Sequence, residues 1–201
     1  MAITLEHEKR SSSCRIKTDT STAMTRYCDS APGHPFHGPY HDHEYGFPVD
    51  DDDILFERLV LEINQAGLSW LTVLKKRAAF QRAFDGFEIA RVAAYGEAER
   101  ERLLGDAGII RNRLKIDAAI HNARIIVQLQ HEHGSFKAWL DGHHPLPLVE
   151  WMKLFKRTFR FTGAEIVNEF LMSAGYLPGA HRDDCPVQRQ ILAARPPWTT
   201  T

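Results

Sequence analysis

Helical periodicity is the feature of this sequence that most restricts its fold. Beyond residue 50, apolar residues recur every three or four positions in almost every segment, as with Leu55, Leu59 and Ala66. Runs that alternate apolar and polar residues, the pattern of a half-buried strand, are nearly absent. We therefore predict an all-α fold without internal repeats. The predicted helical segments are residues 51–67, 69–84, 88–96, 98–108, 111–134, 134–142, 149–161 and 163–177.

Composition divides the chain into three parts. Residues 1–24 are polar, rich in Ser and Thr and without a sustained period, so we expect a disordered lead, with Met24 as an alternative start. Residues 25–190 are expected to form one helical domain, because a chain of 201 residues with 43% hydrophobic content can bury a core. That domain opens with a wrap, residues 27–49, whose Pro, Gly, His and aromatic content predicts an irregular segment. Residues 191–201 are expected to be a loose tail.

Charge and cysteine content argue against several classes of protein. The chain has 25 basic and 26 acidic residues and a net charge of -1, so any nucleic-acid surface must be local. No apolar run is long enough to cross a bilayer, and the first residues lack the apolar segment and cleavage site of a secretory signal. Three cysteines are too few, and odd in number, for a secreted disulfide framework. These observations indicate a soluble cytoplasmic protein without a membrane partner.

Glu62 is the most conspicuous charged residue of the predicted helices. The 3.6-residue period places it between Leu55, Leu59 and Ala66, on the side that should face the core. Losing the hydration of a carboxylate costs several kcal/mol, so a carboxylate is rarely buried without a partner. Either the stripe is misjudged, or Glu62 faces a cavity that has a use for its charge.

Two cysteines and two histidines have a spacing that suits a metal ion. His181 and Cys185 are four residues apart, so one helical turn or tight loop can bring both to an ion, and Cys28 and His41 bracket much of the wrap. Two thiolates and two imidazoles match a closed tetrahedral Zn²⁺ site, in which the metal is structural. Spacing alone leaves another interpretation open, with Cys28 as a small apolar filler and His181 on the surface. Rival ligands are His34, His37, His43, His131 and His133.

Aromatic residues flank Glu62 in the sequence. Tyr40, Tyr45 and Trp70, with Phe36 and His37, could line a cavity around the carboxylate. Such a cavity suits a flat cation, which would pair with the carboxylate at its edge and contact ring faces through cation–π interactions. The alternative is that these rings are ordinary core residues.

The segment LLGDAGIIRNRLKI, residues 103–116, could contact phosphates. Gly105 and Gly108 would form a turn between two short helices, exposing backbone N–H groups at the start of the second helix. Arg111, Arg113 and Lys115 follow within phosphate reach. Basic residues on a helix face are also common as simple solvated charges.

Three segments together resemble a known family. They are YHDHEYGFPVDDDDILFERLVLEINQAGLSWLTVLKKRAAFQRAF (40–84), VAAYG (92–96) and LLGDAGIIRNRLKIDAAIHNAR (103–124). The similarity extends from about Arg26 to Cys185 and is to 3-methyladenine DNA glycosylase I, of the helix-hairpin-helix DNA glycosylase superfamily. The resemblance implies an all-α, helix-hairpin-helix repair enzyme that hydrolyses the N-glycosidic bond of N3-methylated adenine in alkylated double-stranded DNA. Such an enzyme is expected to be monomeric, cytoplasmic and nucleoid-associated.

The same resemblance assigns the site residues. It implies a zinc clip that joins the N- and C-terminal segments, and it places Glu62 in a base pocket as the recognition carboxylate. Tyr40 and Trp70 would form the aromatic walls, with Tyr45 and His37 beside them. The ligands of the clip would be Cys28, His41, His181 and Cys185.

Five positions differ from the pattern expected of the family. Ser30, His37 and Tyr45 stand where larger aromatic residues are usual, Ile63 replaces a small residue beside Glu62, and Glu165 adds a negative charge to a basic, glycine-containing turn. These differences bear on the lesion accepted. Two alternatives therefore stay open: a homologue that binds lesions without catalysis or with altered specificity, and a zinc-stabilised helical protein that binds another protein.

Overall fold

The structure is a computed structural model that describes residues 27–200, and this part of the chain contains helices and turns but no strand. The prediction of an all-α fold is therefore confirmed. The lead expected at residues 1–24 lies outside the described residues. Among the described helices, none has both the length and the apolar composition needed to cross a membrane.

Eight of the ten α-helices in residues 27–200 follow the predicted segments closely. Two side chains cap helix starts: Asp51 caps one helix by accepting from the backbone N–H of Asp53 and Ile54 (2.8 and 3.1 Å), and Ser69 caps the next by accepting from the backbone N–H of Thr72 (3.2 Å). The helices are α1 (His37–His43), α2 (Asp52–Gln65), α3 (Trp70–Ala83), α4 (Ile89–Ala93), α5 (Glu97–Gly105), α6 (Arg113–His133), α7 (Phe136–His143), α8 (Leu148–Thr158), α9 (Ala164–Ser173) and α10 (Pro186–Ala193).

Helix α2 lies at the centre of the fold. All of its residues from Leu55 to Asn64 are buried, because α2 packs against α3, α6, α7 and α9. Burial of each large apolar side chain contributes roughly 1.5–3 kcal/mol. The carboxylate of Glu62 is therefore carried by an element that is enclosed by neighbours along most of its length.

The wrap is more regular than its composition predicts. Helix α1 occupies His37–His43 within residues 27–49. Pro39 lies in the first turn of this helix, where a missing N–H removes no intrahelical hydrogen bond. The wrap is joined to the C-terminal half where the Gly46 N–H donates to the Ser173 carbonyl (3.1 Å). Helix α1 therefore holds its side chains against α9 and the residues beyond it.

The segment expected to be a loose tail carries a helix end and packs on the domain. The boundary set at residue 190 falls inside α10, whose Ile191 is 1% exposed. Pro186 begins this helix at a position where its fixed φ is favourable. Further on, the Trp198 N–H donates to the Gly175 carbonyl (3.2 Å). The expectation of a loose tail is therefore wrong for residues 191–200.

Candidate functional site

A cavity of about 250 Å³ lies between α1, α2, α3 and α9. This volume is below the roughly 300–1,000 Å³ typical of sites for drug-sized ligands, so it suits a single ring system. The structure thus joins Glu62 to four of the rings predicted to surround it, whereas the fifth, Phe36, is exposed and does not line the cavity. The lining residues are Tyr27, His37, Tyr40, Tyr45, Glu62, Gln65, Trp70, Glu169 and Ala180.

Glu62 faces this cavity from the buried side of α2. Its side chain is 4% exposed, and no described residue makes a hydrogen bond to its carboxylate. Burial raises the pKa of Glu62 well above its usual value, the negative charge of Glu169 raises it further, and Arg58 opposes both effects. The carboxylate is consequently short of positive charge and of hydrogen-bond donors until a ligand supplies them.

The aromatic walls form one connected cluster. The ring centroid of Tyr40 lies 5.1 Å from that of Trp70 and 5.6 Å from that of Tyr45. Tyr27 extends the cluster, with its centroid 5.8 Å from that of Tyr45. Ring faces carry negative potential, so these walls favour a flat cation over a neutral ring of the same shape.

Two polar atoms at the cavity have no hydrogen-bond partner among residues 27–200. They are the hydroxyl of Tyr27 and Nδ1 of His37, and both are buried. His34 is engaged differently, since its Nδ1 accepts from the backbone N–H of His37 (3.1 Å). Unpaired buried polar atoms are costly, so a hydrogen bond from a ligand to either atom would be favourable.

Arg58 lies one helical turn before Glu62 and is also buried. Its guanidinium donates to the Ser173 carbonyl at the end of α9. Its Nε is buried without a partner among the described residues. Arg58 thus gives Glu62 partial charge compensation from behind the cavity wall while it joins α2 to α9.

A groove of about 560 Å³ adjoins the cavity. The two share Glu62, Gln65 and Glu169, and the groove continues between the turn joining α2 to α3 and the first turn of α9. A molecule with one ring in the cavity would therefore leave it past these three side chains and continue in the groove.

The four predicted metal ligands meet in one buried cluster. The ligand atoms of Cys28, His41, His181 and Cys185 all lie within 4.8 Å of one another. The Cys185 Sγ is 3.5 Å from His181 Nδ1 and 3.8 Å from His41 Nε2, and Cys28 Sγ is 3.7 Å from His181 Nδ1. Tetrahedral bonds of the lengths that Zn²⁺ prefers would set sulfur–nitrogen separations of ~3.6 Å. The cluster therefore has the composition and size to hold a tetrahedral metal ion.

The second nitrogen of each imidazole is also fixed. His181 Nε2 donates to the Tyr45 carbonyl (2.9 Å), and His41 Nδ1 pairs with Asp42 Oδ1 at 2.7 Å. Burial lowers the pKa of His181 to about 4, which keeps the ring neutral as a ligand must be. These contacts link the cluster to the cavity, because Tyr45 lines the cavity and His41 follows Tyr40.

The predicted DNA-contacting residues are placed differently from one another. Gly105 ends α5 and Gly108 lies in the following turn, while Arg111 and Arg113 are exposed at the start of α6. Lys115 is 5% exposed, and its Nζ donates to the carbonyls of Asn64 and Ala66 (2.9 and 2.7 Å). The prediction that Lys115 contacts a phosphate is therefore wrong, because its ammonium is buried against the end of α2.

The sequence prediction missed four lining residues, of which Glu169 is the most informative. It lies in IVNEFLM, residues 166–172, where an acid interrupts an apolar run. The same signal singled out Glu62 and could have identified this residue. The other three are Tyr27, Gln65 and Ala180.

The five residues that differ from the family pattern lie in different parts of the structure. His37 and Tyr45 line the cavity, whereas Ser30 is exposed. Ile63 is fully buried in the main core and is not a lining residue, so its added volume does not narrow the cavity. Glu165 is exposed in the first turn of α9 and borders the groove.

Comparison with known proteins places the chain among DNA repair enzymes. The sequence model of the family described as methyladenine glycosylase matches residues 30–150. DNA-3-methyladenine glycosylase 1 of Escherichia coli (strain K12) is 38% identical, over 70% of this chain and 86% of that protein. DNA-3-methyladenine glycosylase of Haemophilus influenzae is 32% identical, over 81% of this chain and 98% of that protein.

Solved structures give the same result. The 3-methyladenine DNA glycosylase I of Staphylococcus aureus, solved for the structural basis of its 3-methyladenine recognition, superposes with a TM-score of 0.73 at 32% identity. That match covers 82% of this chain and 97% of the other. A variant 3-methyladenine DNA glycosylase I in complex with 3-methyladenine has a TM-score of 0.73 at 31% identity, over 81% of this chain and 97% of that one.

Proposed function

The chain belongs to the methyladenine glycosylase family, and from that premise we propose that it is a DNA-3-methyladenine glycosylase I. It hydrolyses the N-glycosidic bond of N3-methylated adenine in alkylated double-stranded DNA. The observation that carries this proposal is the buried carboxylate of Glu62, without a hydrogen-bond partner among the described residues, in a ring-lined cavity of single-base size. It acts as a monomer in the cytoplasm, associated with the nucleoid.

The charge of the substrate explains how such a site works. Methylation at N3 makes adenine a cation, which weakens its bond to the sugar. The enzyme extrudes the nucleotide from the duplex and encloses the base between Tyr40, Tyr45 and Trp70. Glu62 pairs with the positive charge and accepts hydrogen bonds from the adenine edge, while Tyr27 and His37 offer further polar atoms.

Discrimination against normal adenine follows from the same charge. A neutral base brings no positive charge to Glu62, so the buried carboxylate stays uncompensated. A cationic base removes that penalty when it enters. The cavity therefore selects N3-methylated adenine by its charge as well as by its shape.

The Cys28, His41, His181 and Cys185 cluster supports a structural Zn²⁺ within the same proposal. Four protein ligands complete a tetrahedron and leave no position for water or substrate, so the ion would supply rigidity and no chemistry to the reaction. The ligands join residues 28–41 to residues 181–185. They would thus fix the wrap that carries Tyr40 and Tyr45 onto the C-terminal part of the domain.

Release of free base from alkylated DNA tests the proposed activity. DNA carrying 3-methyladenine, 3-methylguanine or 7-methylguanine is incubated with the protein, and the free bases are separated and quantified. We expect release of 3-methyladenine, and a fall of roughly 10²-fold in kcat/KM with Glu62→Gln, which keeps the shape and removes the charge that binds the cationic base. Wild-type rates in Glu62→Gln would refute the role of Glu62. Binding to damaged DNA without release by the wild type would identify a non-catalytic lesion-binding protein.

A further inference from the structure

Glu169 brings a second carboxylate to the cavity. It lies on α9 and is partly buried, and it lines both the cavity and the adjoining groove together with Glu62 and Gln65. The two acids come from different helices, so their approach results from the packing of α9 on α2. Two carboxylates in one small cavity repel each other, which makes a purely structural role for Glu169 unfavourable.

The side chain of Glu169 is held in position by Tyr45. The Tyr45 hydroxyl donates to Oε2 of Glu169 at 2.9 Å. A carboxylate can accept at both oxygens and at several lone pairs, so this bond orients the group and leaves acceptor capacity for the substrate. The orientation also depends on the ring cluster, because Tyr45 packs against Tyr40 and Tyr27.

The volumes of the cavity and of the groove indicate where the sugar of an extruded nucleotide would lie. A cavity of about 250 Å³ has room for one base, and the adjoining groove of about 560 Å³ has room for the rest of the nucleotide. Because Glu62, Gln65 and Glu169 line both spaces, the glycosidic bond must cross the boundary that they form. Of the two acids, Glu62 is the more deeply buried and Glu169 the more exposed, so an entering base would meet Glu62 at the greater depth.

We propose that Glu169 is a catalytic residue that acts at the anomeric carbon of the extruded nucleotide, a role that rests on the proposed glycosylase function. The C1′–N9 bond breaks with both electrons moving to the base, which leaves as neutral 3-methyladenine, and the sugar becomes an oxocarbenium cation. Glu169 stabilises that cation. Water then adds to C1′, and the Glu169 carboxylate accepts the proton that the water loses, which leaves an abasic sugar and a protonated acid.

Charge movement during the reaction is the physical reason for a second acid. In the bound substrate the positive charge is on the base, beside Glu62, and in the transition state it moves to the sugar. A carboxylate that contacts only the base would stabilise the substrate more than the transition state, and that difference slows the chemical step. A carboxylate on the sugar side stabilises the transition state more than the substrate, since its attraction to the sugar grows as the glycosidic bond breaks.

Glu169→Gln tests the proposal, with Glu132→Gln as the matched control. The glutamine can still accept from Tyr45, and Glu132 lies near the end of α6, is exposed and lines neither the base cavity nor the groove. We measure the single-turnover rate of 3-methyladenine release from DNA and the affinity for free 3-methyladenine. We expect Glu169→Gln to be slower than the control by roughly 10²-fold, as for loss of a general base, while affinity for the free base changes less than about threefold.

The possible results separate the two proposals. A Glu169→Gln rate within about threefold of the control would overturn the catalytic role, and so would an equal loss of rate and of base affinity, since that marks a binding or structural role. Absence of release by the wild type would instead remove the glycosylase assignment. Tyr45→Phe provides a second variant that keeps the carboxylate and loses its orienting bond. It should reduce the rate by less than Glu169→Gln does.

Discussion

Glu62 is buried where the folded protein offers its ionised form little stabilisation. Burial raises the pKa of this carboxyl well above its usual value, and the charge of Glu169 adds to the effect. A proton is therefore held more tightly in the folded state than in the unfolded chain. The resulting stabilisation is complete below the ordinary pKa of glutamate and is lost as the pH rises through the raised pKa. The acid that would recognise a cation therefore lowers the free energy of unfolding at higher pH.

This linkage predicts that Glu62→Gln stabilises the protein increasingly as the pH rises. Glutamine resembles the protonated acid and cannot ionise, so the variant avoids the loss that the wild type undergoes. We expect a gain in the free energy of unfolding on the order of 1 kcal/mol, larger at about pH 9 than at about pH 6. Denaturant unfolding at the two pH values measures it. Exposed Glu165→Gln controls for net charge, and an equal gain at both pH values would contradict the prediction.

Single residues show where sequence reasoning succeeds and where it fails. Helical periodicity identified Glu62, because it placed an acid within an apolar stripe. Burial of a carboxylate is costly, so an acid in that position indicates a site that uses its charge. Glu169 obeys the same rule, but its partner Tyr45 is distant in sequence and their contact depends on tertiary packing. Lys115 was assigned to DNA on spacing, yet its four-carbon stem lets it reach the carbonyls of Asn64 and Ala66.

The helices that could be predicted are those with clear local signals in the sequence, such as an apolar period or an N-cap. Helices α2 and α3 have a long apolar period and good N-caps, so they begin where the sequence indicates. Helix α1 was missed because Pro39 and two glycines within residues 37–46 suggested a loop. Helix α10 was missed although Pro186 is a recognised start signal. Both missed helices lie beside the four metal ligands. Contacts among these ligand side chains position the two helices, and the sequence there has no apolar period that would predict them.

Loss of the metal cluster should affect both stability and activity. His41→Ala removes one ligand from helix α1, and we expect loss of bound Zn²⁺ from a starting value of about one per chain. At metal concentrations near 1,000 times the dissociation constant, the lost stabilisation is about 4 kcal/mol. Release of 3-methyladenine should also fall, because Tyr40 and Tyr45 are held next to the ligands. Metal analysis, thermal unfolding and the release assay measure these three effects.

His43→Ala is the matched control for this change. His43 is on the same helix, is exposed and does not belong to the cluster. It should keep the metal and the melting temperature of the wild type. Absence of metal from the wild type, or equal destabilisation by the two variants, would show that the four side chains pack without an ion. Full metal content in His41→Ala would show that His41 is not a ligand.

On the scale of the whole molecule, DNA affinity must come from a local arrangement of charge. The net charge is -1, so the average field of the protein does not attract a polyanion. The end of α2, the start of α6 and the turn before α9 meet at one edge, where Lys115 bonds to Asn64 and Ala66 and lies 5.9 Å from the ring centroid of Phe161. Exposed Arg111 and Arg113 lie at the start of α6, which forms part of this edge.

Arg113→Gln should therefore weaken binding to all duplexes and lower its dependence on salt. Each phosphate contact contributes about 0.9 to the slope of log affinity against log salt concentration, so we expect the slope to decrease in magnitude by about 1. Titration of abasic-site DNA at several salt concentrations, followed by fluorescence anisotropy, gives the slope. The chemistry of an already bound base should be unaffected, since Arg113 does not line the cavity.

Arg91→Gln distinguishes a phosphate contact from a general charge effect. Both arginines are exposed and each pairs with one glutamate, Arg113 with Glu101 and Arg91 with Glu88. Arg91 lies on α4, beside the part of α6 where Arg124 donates to the Ala93 carbonyl, roughly 16 Å along the helix axis from Arg113 at 1.5 Å per residue. Its removal should leave the slope unchanged, because it is beyond a Debye length of the proposed contact at 0.1 M salt. Equal slopes for the two variants would place the DNA on another face of the protein.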